Sequence, residues 1–162
     1  MSKTNSLHYE LCKLGAKFLK NRKNAEPWKL PNKYIAVELV TLTAENPDIW
    51  ATNGSETTII EVKTSHADFL ADLKKWCRSD DAVKKDKLLG NYRYYLCPEG
   101  IINIEEIPNN WGLLVYDGKK IKKVKSATYV KSSSDQEILM LTSIMRRLDI
   151  KQPQIFNFRK EK

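Results

Sequence analysis

Apolar residues recur three and four apart near the start of the chain. Leu7, Leu11, Leu14 and Phe18 form one stripe, which predicts a helix over 6–20 with Ser6 as its cap and Glu10 beside the stripe. The two-proline stretch "NAEPWKLPNK" then predicts a loop. "YIAVELVTL" is rich in β-branched residues and predicts a strand over 34–42. Two further strands, 48–52 and 55–63, flank Asn53-Gly54, the dipeptide best suited to a two-residue hairpin turn. "SHADFLADLKKW" predicts a helix with Phe69, Leu70, Leu73 and Trp76 on one side and Ser65 and Asp68 at capping-box spacing. "NYRYYLCP" predicts a short buried strand, and "WGLLVYDGKKIKKVKSA" a hairpin turning at Asp117-Gly118. The last periodic segment predicts a helix capped by Ser134 and Glu137, with Ile138, Leu141, Ile144, Met145 and Leu148 on its apolar face. The order is α-β-β-β-α-β followed by a hairpin and a helix. It implies an α/β fold, a mixed sheet flanked by helices. The whole of 1–162 reads as one domain, with a core over 6–116, a basic hairpin and helix over 117–150 and a tail over 151–162.

The hairpin carries charges that a packed strand does not need. With a two-residue turn at 53–54, Asp48 faces Ile59, and alternation puts Glu61 and Lys63 on the same face. Asp48 and Glu61 then become diagonal neighbours about 7–8 Å apart. Two carboxylates at that range can share a cation, and oxygen donors suit Mg²⁺ or Mn²⁺. Lys63, one pleat on, could orient a metal-bound water or face a phosphate. The competing reading is a solvated strand face with an ion pair across it.

Charge distribution bears on this choice. The net charge is +8, yet residues 34–63 hold five acids and one base. Residues 119–133 hold six bases and no acid. Acids to hold a cation between basic flanks to hold phosphates fit an enzyme acting on a polyanion. Lys74, Lys75, Arg78, Arg93, Lys119, Lys120, Lys122 and Lys123 are candidate nucleic-acid contacts. The lysine-rich hairpin has another reading, since edge strands carry Lys to block stray sheet pairing. His8 and His66 read as surface residues, and Trp28, Trp50, Trp76 and Trp111 as packing residues. Three widely spaced cysteines suit reduced thiols. With no apolar leader and no membrane-length apolar run, the expectation is a cytoplasmic protein that uses no membrane.

Pro47-Asp48 followed by Glu61-Val62-Lys63 resembles the signature of the PD-(D/E)XK nuclease superfamily, and the predicted element order resembles that superfamily's restriction-endonuclease-like core. "VELVTLTAENPDIW", "IIEVKTSHADFLADLKKW" and "GNYRYYLCPEGII" resemble small phage and prophage proteins of that fold and, more loosely, MmcB-like DNA-repair nucleases. The resemblance covers 7–116. It implies Mg²⁺ (or Mn²⁺) held by Asp48, Glu61 and the Val62 carbonyl, with Lys63 assisting catalysis. It further implies a deoxyribonuclease, expected to be an endonuclease, acting on DNA in repair, recombination or phage DNA processing. Many members add another acid from the first helix or an early strand; Glu38 and Glu10 are the candidates, Glu38 preferred, and Ser65 and Asp68 stand nearby in sequence. Glu38 reaches the site only if the connection between its strand and the next has the right parity. A homodimer would permit paired cuts. Two rivals stay open: a non-catalytic nucleic-acid-binding module of the same fold, and an adaptor for a protein partner in a repair or replication complex.

Overall fold

Gly15 marks where the first helix meets the sheet. A Cβ there would lie 2.6 Å from Ile49 Cδ1 and 3.1 Å from Leu96 Cδ2, so only a glycine lets the backbone approach so closely. In this computed structural model, which describes residues 3–24 and 30–148, that helix is α1 (Lys3–Lys20). The expectations for Trp28 and the tail 151–162 lie outside the described residues. Six strands follow in sequential order across one sheet: β1 (Tyr34–Val37), β2 (Ile49–Thr52), β3 (Thr57–Val62), β4 (Tyr92–Pro98), β5 (Trp111–Tyr116) and β6 (Ile121–Lys125). β1–β2, β2–β3 and β5–β6 pair antiparallel, whereas β3–β4 and β4–β5 are parallel. Two short helices, α2 (His66–Leu73) and α3 (Asp80–Lys84), lie in the β3-to-β4 crossover, as a parallel pair requires. α4 (Ser134–Arg147) follows β6. The chain is therefore a mixed α/β protein with helices on its sheet and a helix after the last strand.

Alternation along the strands sorts the core into two layers. Leu11 and Cys12 of α1 pack on Ile49, Ile60, Val62, Leu96 and Leu114. The opposite face packs Trp50, Ile59, Tyr95, Trp111 and Leu113 against Phe69 of α2 and Met140 of α4. α4 sits differently from its predicted orientation. Its buried residues are Gln136, Met140 and Ser143, while Ile138, Leu141, Met145 and Leu148 are exposed and only Ile144 of the expected stripe packs on the core. The reason is polar. Gln136 accepts from the Ala44 amide (2.6 Å), and Glu137 accepts from Trp50 Nε1 (2.7 Å), Thr57 Oγ1 (2.7 Å) and the Gly90 amide (2.8 Å). Four buried or half-buried donors thus set the helix rotation, because leaving them unmade costs more than exposing aliphatic groups. The same bonds remove Glu137 from the predicted capping box; the N-cap is Ser133, with no side-chain cap.

No helix among the described residues is long and apolar enough to cross a membrane.

Candidate catalytic centre

The loop between β2 and β3 holds four residues, 53–56, rather than two. The Asn53 side chain accepts from the amides of Ser55 and Glu56 (2.8 Å each), Gly54 takes φ +99°, and Thr52 Oγ1 donates to the Glu56 carbonyl. The two extra residues keep the parity, so every side chain stays on its predicted face. They also slide the register by two. Trp50 pairs with Ile59 and Ile49 with Ile60, so the next pair along is Asp48 with Glu61, directly opposite rather than diagonal. Glu38 joins from the other side. Val37 pairs with Ile49, and the Glu38 amide donates to the Asp48 carbonyl (2.8 Å), so Glu38 stands opposite Asp48. The eleven-residue connection 38–48 thus has the parity that brings Glu38 to the site. Glu38, Asp48 and Glu61 form a row across three neighbouring chain segments, and Tyr95 continues it on β4. Glu38 takes φ +50°, a left-handed backbone that a non-glycine residue holds only where its surroundings enforce it. The row lies at the carboxyl end of β3, where open α/β sheets place their ligands.

Behind Glu61 lies a buried ionic network. Lys63, with its side chain 5% exposed, reaches Glu61 Oε2 (3.4 Å) and Asp72 Oδ1 (3.2 Å). Arg78 reaches Glu61 Oε1 (3.1 Å), Asp72 Oδ2 (2.9 Å) and Glu45 Oε2. Arg93 grips both oxygens of Glu45 (2.8 and 2.7 Å) and stacks its guanidinium on Trp111, 4.4 Å from the ring centroid. Tyr95 donates to Asp72 Oδ2 (2.8 Å) and lies flat on Trp111, 4.4 Å between centroids. Burial pushes the Glu61 carboxyl up to about 7, with Asp48 adding to it, against the opposing pull of Arg78 and Lys63. Asp72 goes the other way: burial alone would raise it, but Arg78, the Lys75 hydrogen bond and Lys63 together hold it well below the usual carboxylate range.

On the α1 side, His8 and Cys12 approach the same acids. His8 Nε2 lies 3.3 Å from Asp48 Oδ1, and His8 Nδ1 lies 3.7 Å from both Glu38 Oε1 and Cys12 Sγ. Asp48 Oδ2 accepts from the Val62 amide (2.7 Å). Burial pushes the Cys12 thiol up to about 12, with Asp48, Glu38 and Glu61 each adding. His8 is therefore part of the site rather than a surface residue. The four-residue spacing of His8 and Cys12 was the signal for this pair.

Several expected participants fall elsewhere. Glu10 is exposed on α1, and the structure records no contact between it and the acids. Ser65 caps α2 by accepting from the Asp68 amide (3.2 Å), and Asp68 sits exposed in the first turn, so both act at a helix end. Arg78 and Arg93 have side chains about 5–6% exposed and committed to carboxylates, so they brace the site instead of meeting phosphates. Trp76 is 43% exposed and donates to Asp81 (3.1 Å), so it is not a core residue. Lys74 is exposed, and Lys75 is half-exposed with its ammonium 2.7 Å from Asp72. Lys119, Lys120, Lys122 and Lys123 are exposed on and beside the edge strand β6, three strands away from β3. Lys122 pairs with Asp117 (2.8 Å). A cleft of about 370 Å³ opens beside Glu61, lined by Glu45, Asn46, Lys75, Trp76 and Arg78 among others.

No family model matches the chain, and no curated protein matches it. Among solved structures, SPO1766, a protein of unknown function from Silicibacter pomeroyi, is similar at a TM-score of 0.51 and 23% identity, over 78% of this chain and 84% of that one. That likeness concerns the fold.

Proposed function

We propose that this chain is a metal-dependent nuclease that hydrolyses DNA phosphodiester bonds, in the manner of the PD-(D/E)XK superfamily its motif resembles. The observation that carries the reading is the cross-strand row of Glu38, Asp48 and Glu61, with Lys63 two residues beyond on the same face. The residues present suit a divalent cation. Glu61 binds its proton more tightly than an ordinary carboxylate because it is buried and faces Asp48. A cation held by Asp48, Glu61 and the Val62 carbonyl, with Glu38 beside them, would relieve that excess of negative charge. When bound, Mg²⁺ or Mn²⁺ acidifies a water and offsets charge on the phosphate.

The chain's own residues supply the rest. Lys63 is held at both ends of its reach by Glu61 and Asp72, which fixes its ammonium beside the acids rather than leaving it to swing. From there it can orient the attacking water or face a phosphate oxygen. The cleft beside Glu61 offers the scissile group a way in, with the Lys75 ammonium at its wall. Lys74, Lys119 and Lys120 are exposed and could meet the flanking backbone of the DNA.

A panel of labelled single-stranded, duplex, flap and branched DNAs tests the reading. Cleavage is expected with Mg²⁺ or Mn²⁺, none with chelator, and a loss of at least about a hundredfold for Asp48→Asn, Glu61→Gln and Lys63→Met. Full activity in Asp48→Asn and Glu61→Gln would sink it. One observation favours a second reading, a nucleic-acid-binding module without catalysis: both Glu61 oxygens already face cations, Lys63 and Arg78. Salt-dependent DNA binding with no cleavage under any metal would decide for that module.

A further inference from the structure

Asp48 has two neighbourhoods, and only one of them belongs to an oxygen-only magnesium site. On its α1 side, one donor atom each from His8, Cys12 and Asp48 lie within 4.8 Å of one another. A tetrahedral ion with metal–sulfur bonds of about 2.3 Å and metal–nitrogen or metal–oxygen bonds of about 2.0–2.1 Å sets donor-to-donor edges of roughly 3.3–3.6 Å. Through His8 Nδ1, the separations to Cys12 Sγ and to Glu38 Oε1, 3.7 Å each, are close to those edges, while Asp48 Oδ1 approaches the other ring nitrogen, Nε2, at 3.3 Å and comes within the same 4.8 Å span. Sequence and fold explain the match. Residues four apart share a helix face, so α1 presents His8 and Cys12 together, and Gly15 lets α1 lie close on the sheet end that carries Asp48. Glu38 Oε1, 3.7 Å from His8 Nδ1, supplies a fourth donor from the segment after β1.

We infer that His8, Cys12 and Asp48, with Glu38 alongside, form a binding site for one divalent transition ion of the zinc and cobalt class. The donor chemistry selects that class. A thiolate and an imidazole bind borderline ions in strong preference to Mg²⁺, which takes oxygen. The charges suit it as well: one thiolate and one carboxylate balance a dication, and Glu38 as a further donor would leave a single excess negative charge. The Cys12 thiol gives its proton to solvent as the metal–sulfur bond forms, so uptake of the ion releases acid. Cys12 is fully buried, whereas the His8 and Asp48 side chains are 29% and 21% exposed, so one side of the ion stays open to water. An open position is what separates a reactive site from a closed structural one. The inference does not rest on the nuclease reading, though the two sites share Asp48.

Cobalt spectroscopy of the full chain tests it without DNA. Metal-stripped protein titrated with Co²⁺ is expected to show a thiolate-to-cobalt band in the near ultraviolet and intense visible bands of a tetrahedral ion. Both should saturate at one equivalent, disappear on adding Zn²⁺ and persist in millimolar-range Mg²⁺. Cys12→Ser should lose the near-ultraviolet band, and His8→Gln, at a part-exposed position that leaves the core intact, should weaken cobalt binding about tenfold or more. Absence of a thiolate band in the wild-type chain, or its survival in Cys12→Ser, would overturn the inference. So would unchanged affinity in His8→Gln. A chain that cleaves no DNA can still pass this test, and an active nuclease can fail it.

Discussion

Asp72→Ala should be the most damaging single change near the site, and its cost can be worked from the contacts. The Asp72 side chain is fully buried and holds four partners: Lys63 at 3.2 Å, Lys75 at 2.7 Å, Arg78 at 2.9 Å and the Tyr95 hydroxyl at 2.8 Å. Removing it leaves Lys63 and Arg78 buried with Glu61 and Glu45 as their remaining carboxylates, two acids for three buried cations once Arg93 is counted. Breaking a buried pair from one side typically costs about 3–5 kcal/mol, because the other charge stays desolvated. For a chain of this length that corresponds to a fall in melting temperature of roughly 6–20 °C. Urea unfolding followed by circular dichroism measures it, with Asp68→Ala as the comparison. Asp68 lies exposed in the first turn of the same helix and should cost no more than about 1 kcal/mol. Asp72→Asn keeps an acceptor for Tyr95 but not the charge, and should fall nearer to the alanine variant than to wild type. A loss below about 1 kcal/mol for Asp72→Ala would show that Lys63 and Arg78 reach water when released. The network would then not be what fixes them.

Other outcomes follow from the same geometry. Glu61 has its folded affinity for a proton raised from the ordinary 4.5 to about 7, so its contribution to stability is complete below pH 4.5 and is lost as the pH rises to 7. The loss should be roughly 3 kcal/mol. Urea midpoints across that window should decline less steeply in Glu61→Gln, and excess Mg²⁺ should flatten the wild-type slope if the ion binds the ionised form. Glu137→Ala strands the donors of Trp50 and Gly90, leaves the Thr57 hydroxyl only Asn91 as its acceptor and should cost about 2–4 kcal/mol by thermal or urea unfolding, whereas Ile138→Ala on the exposed side of α4 should stay within about 0.5 kcal/mol. If DNA crosses the β6 hairpin, replacing Lys119 and Lys120 with Glu should weaken binding and lower the slope of log affinity against log salt by up to about 0.9 per lysine, as read by fluorescence anisotropy.

The fold was legible because its signals are local. A 3.6-residue stripe, three β-branched segments and two turn dipeptides mark the elements in order, and the observed order matches apart from the short α3, which no such signal marked. The acid pair was legible too, and it survived a wrong turn length because the loop error was an even number of residues. One residue more would have turned Glu61 toward α1. What sequence did not disclose are partners distant along the chain. Glu45 meets Arg93 across 48 positions and Glu137 meets Trp50 across 87, and no spacing rule links such pairs. The same blindness explains Arg78 and Arg93. In a basic chain a lone arginine looks like a phosphate contact until the carboxylate that claims it is located. His8 and Cys12 were local and could have been seen, since a histidine and a cysteine four apart on a helix share a face.

Charge inside this protein is arranged so that the acids facing the open end of the sheet are left short of cations. Lys63, Arg78 and Arg93 are buried among Glu45, Asp72 and Glu61, and those six balance. Asp48 and Glu38 lie outside that balance, with His8 beside them both. Burial raises the Glu61 carboxyl and the Cys12 thiol on opposite faces of the sheet, and Asp48 adds to both while Glu38 adds to the thiol. The Glu38 and Asp48 side chains are 48% and 21% exposed, so they sit at the rim of the buried cluster, open to water on one side. The deficit is what a dication would fill. It also separates the two sites proposed here by ligand type: oxygen donors with Lys63 on the α2 side, sulfur and nitrogen donors on the α1 side. Adding Mg²⁺ and Zn²⁺ separately to the stripped protein should therefore raise its melting temperature in ways that Glu61→Gln and Cys12→Ser reduce selectively, the first for Mg²⁺ and the second for Zn²⁺. Equal loss of both responses in Cys12→Ser would mean a single shared site centred on Asp48.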